Sequence, residues 1–294
     1  MGKKYILILD YLIIKNFFHE CGNMKLNNEI DEFENISKKI RKHILRMILY
    51  SKSSHIGAAF STVEIMVALY FKILKTDQSN NNLNRDRFIL SKAHASAALY
   101  AILAEKEFFP KSYLEKYYVN DGILPGHLDR FSAPGIEFSA GSLGHGFSAA
   151  IGMALGVKSS PSCKIYTLIG DGESNEGSIW EGAMLASHLS LSNLTAILDY
   201  NKIQSFGRTN DVINQEPIEK RWSSFGWNVI EVNGHSFEEL LNAFEVKTTK
   251  PKMIIAHTVK GKGISFMEDK LEWHYKSPNQ EQYEMALKEL GDSK

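Results

Sequence analysis

Asp171 and Asn201 are the two side chains whose types and spacing are best placed to do chemistry. Asp171 stands between Gly170 and Gly172, and Asn201 follows thirty positions later, with no Cys or spaced His pair beside either. One offers a carboxylate and the other an amide oxygen. Hard oxygen donors of this kind suit magnesium or calcium rather than zinc, and magnesium usually completes its octahedron with phosphate oxygens and water. Gly170 and Gly172 let backbone N–H groups come close to such phosphates, and the N-terminus of a following helix favours their charge. The pattern therefore predicts a metal-bridged diphosphate. The plainer alternative is a strand-turn-helix whose Asp only caps the helix.

The elements that must position these two residues are legible around them. Residues 165–169 are mostly apolar and end abruptly in the Gly-Asp-Gly turn, as a buried parallel strand would. Trp180, Ala183, Met184 and Leu191 then recur at helical spacing, with Ser187 on the same face. Residues 194–198 read as a second buried strand, closed by Asp199-Tyr200-Asn201. This is a βαβ unit, and open α/β sheets bind ligands just beyond the C-terminal ends of their strands.

Four histidines lie at comparable positions elsewhere. His55 sits in a small-residue turn between the helix of residues 36–50 and a second one expected over 61–74. The first of these carries Ile36, Ile40, Ile44, Leu45 and Ile48 on one face and Lys and Arg on the other, as a surface helix packed on a sheet would. Residues 86–92 form a short strand, after which His94 opens an Ala- and Leu-rich helix; a His there either caps the helix or contacts phosphate. His127 is presented by a Pro-Gly-His turn. His274 lies in a Trp-His-Tyr cluster, which by itself reads as local packing. Gly141, Gly144 and Gly146 precede a small-residue helix but do not make the dinucleotide-binding glycine pattern. Residues 78–82 are a polar loop, and 204–216 a mobile one.

The 294 residues contain 34 basic and 34 acidic side chains, so net charge is near zero. That argues against nucleic acid or an anionic membrane as the main partner. Two cysteines, Cys21 and Cys163, give no disulfide framework and suit a reducing, cytoplasmic setting. The apolar run over residues 5–18 is interrupted by Asp10 and Lys15, is too short to span a bilayer and has no small-residue cleavage site after it. Residues 1–23 are therefore expected to be an extension outside the fold, with one domain over 24–294.

A Gly-Asp-Gly turn with a terminal Asn at about this distance is the fingerprint of thiamine diphosphate enzymes, and GDGESNEGSIWEGAMLASHLSLSNLTAILDYNKIQ closely resembles its form in transketolases. RDRFILSKAHASAALYAILAEKEFF (residues 85–109), the Lys260-Gly261-Lys262-Gly263 segment and Trp273-His274 resemble the same family, so the likeness covers residues of about 30–290. It implies an α/β thiamine diphosphate-binding fold with a mostly parallel central sheet and helices on both faces. It further implies Mg2+ (or Ca2+ or Mn2+) held by Asp171, Asn201 and the Ile203 carbonyl. His94 and His274 would reach cofactor phosphate, and Gly141, Ser142 and Leu143 the aminopyrimidine. His55, His127 and His274 would serve the substrate, and Glu176 an interface between chains. Two segments depart from the family form: Ser54 and Ile56 stand where Gly and Pro are usual around His55, and Ser142 and His145 replace Pro and Gln.

The resemblance is to the N-terminal half of a transketolase only. The half that supplies the pyrimidine-activating Glu is absent, which implies a C-terminal partner subunit, an A2B2 heterotetramer and two-carbon ketol transfer between sugars or sugar phosphates. The competing readings are another thiamine chemistry, such as deoxyxylulose phosphate formation or keto-acid oxidation, and a scaffold subunit without cofactor. Neither fits as well: the His-bearing loops differ from those of the first, and a scaffold has no need of diphosphate ligands.

Overall fold

The computed structural model describes residues 2–76, 84–160 and 162–291, with side chains from Leu26 onward. The polar stretch 78–82, the side chains of 5–18 and that of Cys21 lie outside the described residues. Among the described residues five strands form one sheet: β1 (Arg87–Leu90), β2 (Ile165–Gly170), β3 (Leu194–Tyr200), β4 (Asn228–Asn233) and β5 (Lys252–His257). All pairings are parallel and the order is β1-β2-β3-β5-β4. Among the described residues the sheet is parallel throughout, in keeping with the expected α/β fold.

Strand alternation divides the core in two. Phe88 and Leu90 of β1, Tyr166 and Leu168 of β2, Ile197 of β3 and Ile254 of β5 face one apolar layer. Ile89, Ile165, Ile169, Leu194, Ala196, Leu198 and Ile255 face the other. Burial on both faces explains why these strands read as near-continuous apolar runs. The first layer is closed by α1 (Gly2–Ser51), α2 (Ile56–Phe60), α3 (Val63–Ala68), α4 (Ser96–Glu105), α9 (Phe237–Glu245) and α10 (Gln280–Glu289). The second is closed by α5 (His145–Gly156), α6 (Gly177–His188) and α8 (Ile218–Ser224), while the short α7 (Thr209–Val212) lies in the connection after β3.

Four local expectations change. The buried stripe of α1 packs chiefly on α3 and α4 rather than on the sheet. Arg41, expected on the outer face, is buried beside Ile40. The helix expected over 61–74 becomes α3 and a wider turn at Leu69–Ile73, with the separate short helix α2 before it. Ser61 and Thr62 hydroxyls donate back to the carbonyls of Ala58 and Ala59, which competes with the helical ladder at the break. In α6 the buried face is Ile179, Gly182, Ala183 and Ala186, so Met184 points to solvent at 54% exposure. Gly182 sets that rotation, because a Cβ there would stand 2.7 Å from Ile151 of α5.

Candidate active site

The C-terminal ends of β1, β2, β3 and β5 converge on a cavity of about 430 Å³. Each strand delivers one polar group to its floor. Lys92 follows β1, Asp171 follows β2, Asn201 follows β3 and Lys260 follows β5. Of the residues assigned a site role from sequence, all line this cavity except Ser142, which is solvent-facing in the loop before α5.

Beneath the floor lies Asp199, fully buried at the end of β3. Its carboxylate accepts from Lys92 Nζ, Thr258 Oγ1, Ser61 Oγ at 2.7 Å and Asn201 Nδ2 at 3.1 Å. Burial pushes this carboxyl up, but the Lys92 ammonium and the hydrogen bonds from Lys92, Thr258 and Ser61 together outweigh it, and the net shift is downward. The bond from Asn201 Nδ2 also fixes that amide, so Oδ1 faces the Ile203 N–H at 3.1 Å.

Asp171 is buried too, yet its partners are neutral: Gly172 N–H donates to Oδ1 at 2.8 Å and Thr209 Oγ1 to Oδ2 at 2.6 Å. Burial raises its pKa, with Asp199 adding to the effect. A buried carboxylate without a contacting cation is costly unless a cation joins it. The carbonyl of Ile203 already attracts one, accepting from Lys260 Nζ at 2.9 Å. Carboxylate, amide oxygen and backbone carbonyl are the donor set a hard divalent cation takes, so the residues present fit such an ion.

Gly170 and Gly172 line the floor, but their N–H groups are engaged by carboxylates. Gly170 donates to Glu173 Oε2 at 3.1 Å, and Gly172 to Asp171. Glu173 is wholly buried, and also accepts from Ser91 Oγ and from Gly144 N at 2.8 Å. It ties the turn after β2 to the turn after β1 and to the start of α5. Gly146 permits that approach, since a Cβ there would lie 2.6 Å from Ser91 Cα. Glu176, at the start of α6, is exposed at the cavity mouth.

The histidines form the opposite wall. The His55 ring lies 5.2 Å from that of His94, 6.2 Å from His127 and 5.1 Å from His274. His55 itself holds a left-handed backbone, φ 72°, unusual for a residue with a side chain. Its N–H donates to the His274 carbonyl at 2.8 Å, and Ser54 Oγ lies 2.8 Å from its Nδ1. Burial, then His127, then the Lys260 and Lys92 charges, lower the His55 pKa to about 4. Burial, then Lys260, bring His274 to about 3. Burial and Lys92 lower His94 as well. Near neutral pH these imidazoles are uncharged. Lys260 Nζ donates to His274 Nδ1 at 2.8 Å, which leaves the His274 proton on Nε2.

Lys260 is buried, and burial followed by the Lys92 charge lowers its pKa to about 8. Two ammonium groups and four polar rings therefore face a cavity whose buried carboxylates, Asp171 and Glu173, are already hydrogen-bonded, a good match for an anionic guest. Sequence reasoning assigned no role to Lys92, Lys260, Glu173 or Asp199. A charge closing an apolar strand was the available signal for Lys92 and Asp199. Nothing in Lys-Gly-Lys-Gly says that Lys260 turns inward while Lys262 stays half-exposed.

Fold and site define a parallel α/β domain with a ligand cavity at its strand ends. Residues 33–292 match the transketolase, thiamine diphosphate binding domain family, and the chain belongs to the transketolase family. Among curated relatives it is 41% identical over 271 residues to an apulose-4-phosphate transketolase subunit from Actinobacillus succinogenes, covering 90% of this chain and 98% of that one. It is 44% identical over 257 residues to the 6-deoxy-6-sulfo-D-fructose transketolase subunit of Clostridium sp. (strain MSTE9), covering 85% and 93%. Against human transketolase it is 36% identical, and the match covers 93% of this chain but 44% of the human protein. The solved transketolase of Leishmania mexicana superposes with a TM-score of 0.83 at 28% identity, covering 89% of this chain and 41% of that one. The chain thus spans less than half of the human and Leishmania transketolases, and nearly all of the Actinobacillus and Clostridium relatives. No helix among the described residues is long and apolar enough to cross a membrane.

Proposed function

We propose that this chain is the N-terminal subunit of a split transketolase, transferring a two-carbon ketol unit from a ketose to an aldose with thiamine diphosphate and Mg2+. One observation carries the reading: Asp171, Asn201 and the Ile203 carbonyl share a cavity with Lys92, Lys260 and four histidines. Asp171, Asn201 and Ile203 would hold the metal, for which Ca2+ or Mn2+ has the same donor preference. His94, His274, Gly170 and Gly172 would border the diphosphate, and Gly141, Ser142 and Leu143 the ring system. When bound, thiamine diphosphate supplies the carbanion chemistry of ketol transfer. His55, His127 and His274 orient substrate hydroxyls and move protons, and burial keeps His55 and His274 neutral near pH 7 for that task.

The two carboxylates at the cavity other than Asp171 are poorly placed to activate a pyrimidine. Glu173 is committed to three protein donors, and Glu176 stands at the mouth. That supports a C-terminal partner subunit contributing the activating Glu, in an A2B2 heterotetramer of the cytoplasm. Exposed Met184 and Leu185 on α6, the helix that Glu176 begins, offer apolar surface for chain association. The names of the Actinobacillus and Clostridium relatives support an anionic sugar, phosphorylated or sulfonated, as substrate class. Residues 1–23 are proposed to lie outside the catalytic fold. The test is titration of thiamine diphosphate and Mg2+ into this chain combined with a C-terminal transketolase subunit. Saturable, metal-dependent binding and ketol transfer are expected; absence of both sinks the proposal.

A further inference from the structure

Lys260 owes its place to the loop of residues 259–263, and that loop is held from below by three charged or titratable side chains, Arg41 and Glu64 buried and His235 partly so, that do not touch the cavity. Arg41 of α1 and Glu64 of α3 form a bidentate pair, with Nη1–Oε1 2.7 Å and Nη2–Oε2 2.9 Å. Glu64 Oε2 also lies 2.9 Å from His235 Nδ1, in the turn after β4. The far ends of both partners then grip the loop. Arg41 Nε donates to the Lys262 carbonyl at 2.7 Å, and His235 Nε2 accepts from the Val259 N–H at 2.9 Å. A backbone N–H can only donate, so Nε2 carries no proton and Nδ1–H donates to Glu64. The loop is thus pinned one residue before Lys260 and two residues after it. Gly263 shows how close the approach is: at φ 96°, a Cβ there would stand 2.8 Å from Arg41 Nε.

A buried ion pair adds little net stability over an apolar replacement, but it fixes geometry, and removing one member is costly. We infer that Arg41, Glu64 and His235 form a positioning clamp that fixes the backbone on both sides of Lys260 and so aims its ammonium at the Ile203 carbonyl and His274. They are positioning residues, acting through Lys260. The clamp rests on contacts alone; its effect on ligand binding rests on the function proposed above.

Hydrogen exchange on the full chain tests the clamp without any ligand. Glu64→Gln is expected to raise exchange at residues 259–263 at least about tenfold, while β2 and β3 amides keep wild-type protection. Unchanged exchange over 259–263 overturns the clamp. Should Glu64→Gln fail to fold, His235→Asn leaves the Arg41–Glu64 pair intact and is expected to free the Val259 amide; continued protection there overturns the clamp equally.

Its functional consequence is read by titrating magnesium pyrophosphate into wild type, Glu64→Gln, Lys260→Met and the double variant. The expected result is about tenfold weaker binding in Glu64→Gln, with the double variant no weaker than Lys260→Met alone. Full additivity of the two losses shows that Glu64 does not act through Lys260. If wild type binds no pyrophosphate, or Asp171→Ala binds it as tightly, the diphosphate reading fails while the exchange result still stands for the clamp.

Discussion

The two walls of the cavity are built by opposite strategies. The oxygen-donor wall comes from one contiguous βαβ unit, in which Asp171 and Asn201 follow adjacent parallel strands held in register by Gly170↔Asp199 pairing. The histidine wall draws His55, His94, His127 and His274 from four separate connections, and its geometry depends on contacts such as His55 N–H to His274 O and Lys260 to His274 Nδ1. The first wall is rigid because backbone ladders fix it. The second depends on the packing of loops. A site so divided can lose binding through one wall and turnover through the other.

The sharpest break in that comparison is Asp171→Ala. It is expected to abolish metal-dependent thiamine diphosphate binding, by about 100-fold or more in affinity, with the fold intact by circular dichroism. Calorimetric titration showing unchanged affinity would place the metal elsewhere. Next is Lys92→Met, which leaves Asp199 buried without its cation. Unfolding in denaturant should show a loss of about 3–5 kcal/mol, largely recovered by adding Asp199→Asn. If the single change is neutral, the floor is not held by that pair.

His55→Ala probes the other wall. Turnover in the assembled enzyme is expected to fall by about 10²–10⁴-fold while cofactor affinity stays within a few-fold. A loss in affinity of the same size would erase the distinction between walls. The smallest effect concerns pH. His55 and His274 have folded pKa values of about 4 and about 3, below the 6.5 of an unfolded His. Between those limits the unfolded chain binds more protons, so their contribution to stability is present above pH 6.5 and is lost as pH falls toward 4. Denaturant midpoints from pH 7.5 to 4.5 should therefore decline, and His55→Asn should decline less steeply. An identical slope in both would show that His55 is not buried in its neutral form.

Much of the first wall was legible in sequence, because period, turn chemistry and oxygen donors all lie within residues 164–203. The helix facing was not. Trp180, Ala183 and Met184 share a stripe by spacing, but Gly182 lets α6 pack against α5 on the neighbouring face and turns Met184 outward. The clamp was illegible for a similar reason. Arg41 lies on what spacing makes a polar face, yet Glu64 and the Lys262 carbonyl draw it inward.

By itself the sequence determined the alternation of strands and helices, the Gly-Asp-Gly turn with its distant Asn, and a family likeness strong enough to imply the cofactor. These are set by local periodicity and by residue type, which a single chain displays along its length. Only the tertiary structure decided that Asp199 pairs with Lys92, that Lys260 turns in while Lys262 does not, and that four histidines share one wall. Those outcomes depend on which loops meet at the strand ends. Burial then fixes the charge each group carries, and no spacing along the chain records it.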